Sequence, residues 1–394
     1  MTTESVAMME PMMPAIGHKS LEDLAMGLAQ SGAALTRSLH PLVLESIGDL
    51  VRSMNCYYSN LIEGHDTHPR DIEKALAGDF SADPEKRNLQ LEARAHIDVQ
   101  RAIDRGQAPE LVPMRAFILW LHREFCSKLP AELLLAENPD TGEKIPVEPG
   151  RIRSSDVAVG RHIPPSAENL ERFLERFEEA YNPGRLSLVQ QVIAIAASHH
   201  RLVWIHPFLD GNGRVARLHS HTWLLRTGIG SSLWSVARGL ARNRENYKAH
   251  LMAADSPRKG DLDGRGNLSH EELVRFCEFF LRACQDQINY MAGLLDIGNL
   301  VTRMSRHVQE EIDMNRLPMG SLSLLKEALY TGEFRRGRAA ELTGYQERKA
   351  RMILTELRLK GYLISDNDRG PLRLGFPADA VERWLPNLYP AADG

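Results

Sequence analysis

The chain has 394 residues, and its 48 basic against 52 acidic side chains leave a formal charge of −4. That balance excludes a histone-like coat for polyanions, and a composition 43% hydrophobic and 25% charged excludes collagenous, disordered and membrane classes. Such a length exceeds one hydrophobic core, so more than one domain is expected. Cys56, Cys126, Cys277 and Cys284 are scattered without CxxC spacing, which predicts free thiols in a reducing compartment, the cytoplasm. The first residues have neither a basic stretch nor an unbroken apolar run, so they read as a loose tail rather than a secretory signal. The longest charge-free stretch, Leu186 to His200, is too short for a bilayer, and no membrane partner is expected.

From Ser20 to Ile62 apolar residues recur at helical spacing, with Leu42, Leu44, Ile47, Leu50, Val51 and Met54 in register. Further helices are predicted at Pro69–Ala77, Pro84–Arg105 and Pro113–Cys126, the last with Phe117, Leu121 and Phe125 on one face. Between Asn138 and Pro165 the composition turns to Gly, Pro, Val and Ile, and Val157, Val159 and Ile163 alternate around Gly160, predicting a small β-hairpin. Helices resume at Ser166–Tyr181, Ser187–Trp204, Arg214–Arg226 and Ser269–Leu295. Beyond Asn315, three helical stretches (Ser321–Tyr330, Arg338–Leu342, Gln346–Lys360) precede two short strands flanking the turn SDNDRGP. Together these predict a winged helix-turn-helix with Gly344 in its turn. The expected fold is mainly α.

The chemistry concentrates in IHPFLDGNGRVARL, Ile205 to Leu218. Gly211 and Gly213 flank Asn212 just ahead of a helix, so freed backbone N–H groups and the helix N-terminus converge into an anion cradle. Arg214 and Arg217, three residues apart, project from one face as forked clamps, a pairing suited to a polyphosphate. Asp210 would repel a naked phosphate, and Mg²⁺ shared between its carboxylate and phosphate oxygens resolves the conflict. His206 has a pKa suited to taking a proton from an attacking hydroxyl at neutral pH.

HPFLDGNGRVAR, His206 to Arg217, resembles the Fic family motif HPFx(D/E)GNGRxxR without a gap. The likeness extends more loosely over the helices from about Ser20 to Leu295. It implies three regions: an N-terminal helical region at 1–112, a Fic catalytic core with a hairpin flap at 113–298, and a linker helix with the winged domain at 299–394. It also implies transfer of AMP from Mg-ATP to a Ser, Thr or Tyr hydroxyl of a protein, with self-modification left open. His206 would be the base and Asp210 the Mg²⁺ ligand. Gly211, Asn212 and Gly213 would bind phosphate oxygens, Arg214 and Arg217 the β and γ phosphates. Tyr247, with Asn243 and Arg244, lies in a segment similar to the family's nucleoside-contacting helix, although Lys248 stands where a second aromatic is usual. SNLIEG, Ser59 to Gly64, resembles the family's inhibitory motif (S/T)xxxE(G/N), which implies that Glu63 pairs with Arg217 and holds ATP out of its productive place.

Rival readings are removal of AMP, transfer of another phosphate-containing group, and a DNA-binding regulator that senses nucleotide. DLDGRGNLSHEE, Asp261 to Glu272, has calcium-loop spacing, but Arg265 stands where a ligand belongs, so a turn with Asn267 or Ser269 capping the next helix is expected. His199, His200, His219 and His221 lack zinc-site spacing and are expected in packing roles. The winged region carries 12 basic against 8 acidic residues over 316–379, a net +4, which suits DNA contact, protein docking or homodimerisation.

Overall fold

The computed structural model describes residues 4–112, 114–137 and 142–389. Its helices and strands run in the order α1 (Lys19–Leu35), α2 (Pro41–Glu63), α3 (Pro69–Leu76), α4 (Pro84–Asp104), α5 (Met114–Cys126), β1 (Leu135–Glu137) and β2 (Lys144–Pro146). There follow α6 (Leu170–Ala180), α7 (Leu188–Ile205), α8 (Asn212–Arg226), α9 (Val236–Arg242), α10 (Arg244–Ala254), α11 (His270–Leu295) and α12 (Ile297–Asp313). The chain closes with α13 (Ser321–Thr331), β3 (Glu333–Phe334), α14 (Ala339–Thr343), α15 (Glu347–Leu359), β4 (Leu363–Ile364), β5 (Leu372–Leu374) and α16 (Ala378–Trp384). The mainly helical character matches expectation. No helix among the described residues is long and apolar enough to cross a membrane. The four cysteines are free and buried.

Two compact units divide the chain, one formed by Met1–Gly32 with Asn55–Gln287, the other by Ala33–Met54 with Ile288–Gly394. In the first, α7 and α8 form the central pair. Helix α7 is apolar nearly all round, opens on a capping box between Ser187 and Gln190, and buries Ala194, Ala196 and Ala197, whose small side chains admit a close neighbour. Helix α8 is as deeply buried yet polar in sequence, with Arg214, Arg217, His219, Ser220, His221 and Thr222 all inside. Charged side chains are kept inside only when paired, so α8 must draw partners for its arginines from neighbouring elements.

Three expectations change here. The predicted run from Ser20 to Ile62 breaks between α1 and α2, where Pro41 opens the second helix at a position whose missing N–H would have had no intrahelical partner. The N-terminal segment is docked rather than loose. Met9 and Met12 are buried, the Tyr181 hydroxyl donates to Met12 O at 2.6 Å, and Arg201 Nη2 donates to Pro11 O at 2.9 Å. Regular hairpin pairing occurs at β1 and β2, with Ala136 opposite Ile145, upstream of the expected 157–165. The expected stretch begins at 138, and residues 138–141 lie outside the described ones. At 157–165 a single bridge joins Val159 and His162 around a turn, since Pro164 and Pro165 supply no N–H to extend it.

The second unit holds α13, α14 and α15 with an antiparallel sheet in the order β3-β5-β4, pairing Phe334 with Leu372 and Leu363 with Leu374. Gly344 ends α14 at φ 70°, the left-handed conformation that lets α15 follow closely. Trp384 of α16 is buried.

Candidate active site

His206 ends α7 in the left-handed region (φ 50°, ψ 60°), and its N–H caps Leu202 O at 3.1 Å. A non-glycine residue adopts this backbone only when its surroundings hold it there. Arg153 is one such holder: its Nε donates to His206 O at 2.8 Å and its backbone N–H to Pro207 O at 2.9 Å, while its other arms reach Ser155 O and Pro165 O. One buried guanidinium thus ties the start of the motif loop to both ends of the 157–165 turn. The His206 Nδ1 faces Val203 O at 3.2 Å. A carbonyl can only accept, so Nδ1 carries the proton and Nε2 keeps its lone pair. Burial, only partly offset by the Val203 hydrogen bond, holds His206 down to about 4, so the ring is neutral at physiological pH.

The loop after His206 is braced from inside. The Asn212 carboxamide accepts from Phe208 N at 3.0 Å and donates to Phe208 O at 2.8 Å, so its side chain closes the loop on itself. His122 of α5 stacks on Phe208, with centroids 3.9 Å apart and planes 2° from parallel, and accepts from Gly150 N at 2.9 Å. Gly211 takes φ 80° as the cap of α8, whose bonding starts with Val215 N–H to Gly211 O, so the amides of Gly213 and Arg214 precede the first helical hydrogen bond.

At that helix N-terminus lies the Glu63 carboxylate. A Cβ at Gly213 would collide with Glu63 Oε1 and approach Arg217 Nη1 to 3.1 Å, so a side chain there would push the carboxylate from its place. Arg217 donates from Nε to Ser59 Oγ at 2.9 Å and from Nη2 to Ser59 O at 3.2 Å and to Glu63. Burial pushes Glu63 up, but Arg217, then Arg214 and His65, outweigh it and hold the carboxyl below its usual range. Ser59, Glu63, Gly213 and Arg217 thus meet at one point.

Arg214 lies under the cradle with its plane over Phe125 at 4.9 Å, Nη1 on Glu92 Oε1 at 3.0 Å and Nη2 on Asp210 Oδ2 at 3.2 Å. Asp210 is the open member, with a side chain 55% exposed. Tyr247 is buried rather than open to a nucleoside. Its hydroxyl donates to His199 Nε2 at 2.8 Å, while His199 Nδ1 donates to Ser220 Oγ at 2.9 Å, whose proton goes to Ala216 O. This polarity leaves the Tyr247 oxygen to accept from Arg217.

Sequence reasoning missed Arg153, His122, Glu92 and His65. For Glu92 there was a signal: it lies four residues before His96 on the buried stripe of α4. Elsewhere, Asp263 accepts from Lys259 N at 3.0 Å and Glu271 N at 2.8 Å, and Ser269 caps α11 by accepting from Glu272 N at 3.2 Å. His200 meets Asp255 at 3.1 Å and His221 meets Asp104 at 2.7 Å.

The helical pair α7 and α8, with His206 at the end of one and glycines at the start of the next, lies within the stretch that known proteins match. Residues 115–224 match the Fic/DOC family model. A Protein adenylyltransferase Fic of Drosophila virilis is 34% identical over 228 residues, covering 56% of this chain and 45% of that relative. Its namesake in Nematostella vectensis is 30% identical over 178 residues, covering 44% and 37%. This chain therefore spans less than half the length of these curated relatives. A Fic family protein from Desulfovibrio desulfuricans shares the fold with a TM-score of 0.53 at 16% identity, covering 92% of this chain and 97% of that one. Fic-1 from C. elegans gives 0.53 at 18%, covering 71% and 73%. Over residues 115–224 the chain is similar to the Fic/DOC family.

Proposed function

We propose that the chain is a protein adenylyltransferase that moves AMP from ATP onto a side-chain hydroxyl of a protein and is held inactive by Glu63. The observation that carries this reading is a neutral imidazole with a free Nε2 at one end of a five-residue loop and an anion cradle, filled by a carboxylate, at the other. In the reaction the acceptor hydroxyl gives its proton to His206 Nε2 as its oxygen bonds the α-phosphorus. The bond from the α-phosphorus to the bridging oxygen breaks, and pyrophosphate leaves. Arg217 and Arg214 take the β and γ phosphates, and the amides at the start of α8 hold phosphate oxygens, with Asn212 acting through the shape of the loop and Tyr247 through Arg217.

Magnesium fits this donor set: Asp210 offers an exposed carboxylate beside the cradle, and hard oxygen ligands suit the ion. Held by Asp210 and phosphate, it would neutralise charge on the leaving pyrophosphate. The turn at 157–165, fastened by Arg153, is read as the flap that aligns the target segment. The regions 1–112, 113–298 and 299–394 are read as regulatory, catalytic and winged. In the last, α15 exposes Arg348, Lys349 and Arg351 as a surface for DNA phosphates, and loss of binding with added salt tests it. The free cysteines suit the cytoplasm. Incubation with α-labelled and γ-labelled ATP, followed by mass spectrometry of labelled proteins, tests the whole reading. Label from the α position alone supports it, and label from the γ position alone refutes it.

A further inference from the structure

Glu92 is the most enclosed carboxylate near the cradle, its side chain 8% exposed, and it faces two ways. Oε1 takes Arg214 Nη1 at 3.0 Å and Oε2 takes His65 Nδ1 at 2.7 Å. His65 is the second residue after Glu63 and directly follows Gly64, whose φ of 94° turns the chain out of α2 while His65 N–H closes onto Asn60 O at 2.9 Å. Burial pushes the Glu92 carboxyl up, but His65 and Arg214 together hold it below its usual range.

We propose that Glu92 is a positioning residue shared by the phosphate clamp and the inhibitory helix. One oxygen holds Arg214 beneath the cradle, and the other fastens the helix end that carries Glu63. The two arms are separable because they use different oxygens. Arg214 has a second carboxylate in Asp210, but that one is mostly exposed and is assigned to the metal, so Glu92 is the fixed partner when nucleotide arrives. The helix arm matters because, among the described residues, the Glu63 side chain is held by Arg217, itself tied to Ser59, and this is the contact that ATP must disrupt. A second fastening two residues on makes release of Glu63 a concerted event. This inference rests on the adenylyl-transfer reading for its rates and is independent of it for nucleotide affinity.

The test uses the full chain with His65→Gln and Glu92→Gln, each in the native and the Glu63→Gly backgrounds. Loss of one charge-assisted hydrogen bond corresponds to about tenfold in an equilibrium. His65→Gln, at a part-exposed site, should raise basal transfer about tenfold in the native background and leave the Glu63→Gly rate unchanged. Glu92→Gln in the Glu63→Gly background should raise the KM for ATP about tenfold with kcat within twofold. Calorimetry with ATP alone on the same Glu92→Gln protein carrying His206→Ala should give the matching loss of affinity without any turnover. An unchanged basal rate in His65→Gln overturns the helix arm. Unchanged ATP affinity in Glu92→Gln, in protein whose circular dichroism and melting remain cooperative, overturns the clamp arm. If no variant transfers AMP but the affinity loss appears, the adenylyl-transfer reading falls while the clamp arm stands.

Discussion

Replacing Glu63 by glycine should raise adenylyl transfer by about 10- to 100-fold, from the net worth of a charge-assisted hydrogen bond, ~1.5–3 kcal/mol, at tenfold per 1.4 kcal/mol. In the native chain the Glu63 carboxylate takes the Arg217 guanidinium and sits against Gly213. On the proposed reading a γ phosphate needs both places, so ATP would bind there with its α-phosphorus turned from in-line attack or would not bind productively at all. The variant clears both places and leaves Arg217 anchored on Ser59, without touching His206 or Asp210. The same substitution removes an ion pair that is part of the fold and puts two glycines in succession at the end of α2, so its melting temperature should fall by a few degrees while its activity rises. That opposition separates relief of inhibition from general stabilisation. The assay follows α-labelled ATP into protein under equal Mg²⁺ for native chain, Glu63→Gly and Glu63→Gly/His206→Ala. Equal rates in the first two would refute the inhibitory assignment, and transfer by the double variant would refute the catalytic one.

His206→Ala should abolish transfer while the ATP dissociation constant, measured by calorimetry, stays within about twofold, because the base acts on the acceptor and not on phosphate. Retained labelling would remove His206 from its role. For pH, the base works only unprotonated, so activity is present above its pKa and lost below. With His206 held down to about 4 by burial, the kcat/KM of Glu63→Gly should stay flat on acidification to about pH 5 and then fall, and a half-loss near 6.5 would contradict the buried neutral ring. Asp210→Asn should raise the Mg²⁺ needed for half-maximal transfer by tenfold or more, the loss of one anionic oxygen ligand costing at least ~1.4 kcal/mol. An unchanged metal titration would take Asp210 out of the metal site.

What could be read in advance depended on how far apart the partners lie in the chain. In the loop 206–217 histidine, carboxylate, glycines and arginines are contiguous, so a phosphate site could be proposed from their types alone. Ser59 and Glu63 were legible as a short motif, and the structure brings them to Arg217 from 158 and 154 residues away. Glu92 reaches Arg214 across 122 residues, and its place four residues before His96 on the buried stripe of α4 tells that it turns inward but not which partner it meets. Arg153 was hidden for another reason: its partners are mostly backbone carbonyls, which carry no side-chain signature. The docking of the N-terminal segment has the same character, with methionines filling a core and backbone oxygens of Pro11 and Met12 serving as acceptors. Tyr247 illustrates the limit of a motif, since a residue can keep its place in a pattern while its hydroxyl turns inward to His199.

Charge accounts for how one carboxylate would hold the site shut on the proposed reading. Arg214 and Arg217 are almost wholly buried, and a buried guanidinium without a counter-ion costs several kcal/mol. An empty cradle would therefore be unstable, and the fold supplies anions of its own. Their side chains are graded in exposure, 8% for Glu92, 32% for Glu63 and 55% for Asp210, and the grading sorts them by how readily each can be exchanged. Asp210 is free to turn toward a cation at once. Glu92 stays, because it is nearly closed to solvent and held on both oxygens. Glu63 lies between, buried enough to satisfy Arg217 and exposed enough to be displaced, and a phosphate oxygen that takes its place restores the same charge at the same guanidinium. Activation is on this argument an exchange of one anion for another at Arg217, so any event that draws the end of α2 away from α8 opens the site to ATP without leaving a buried cation unpaired.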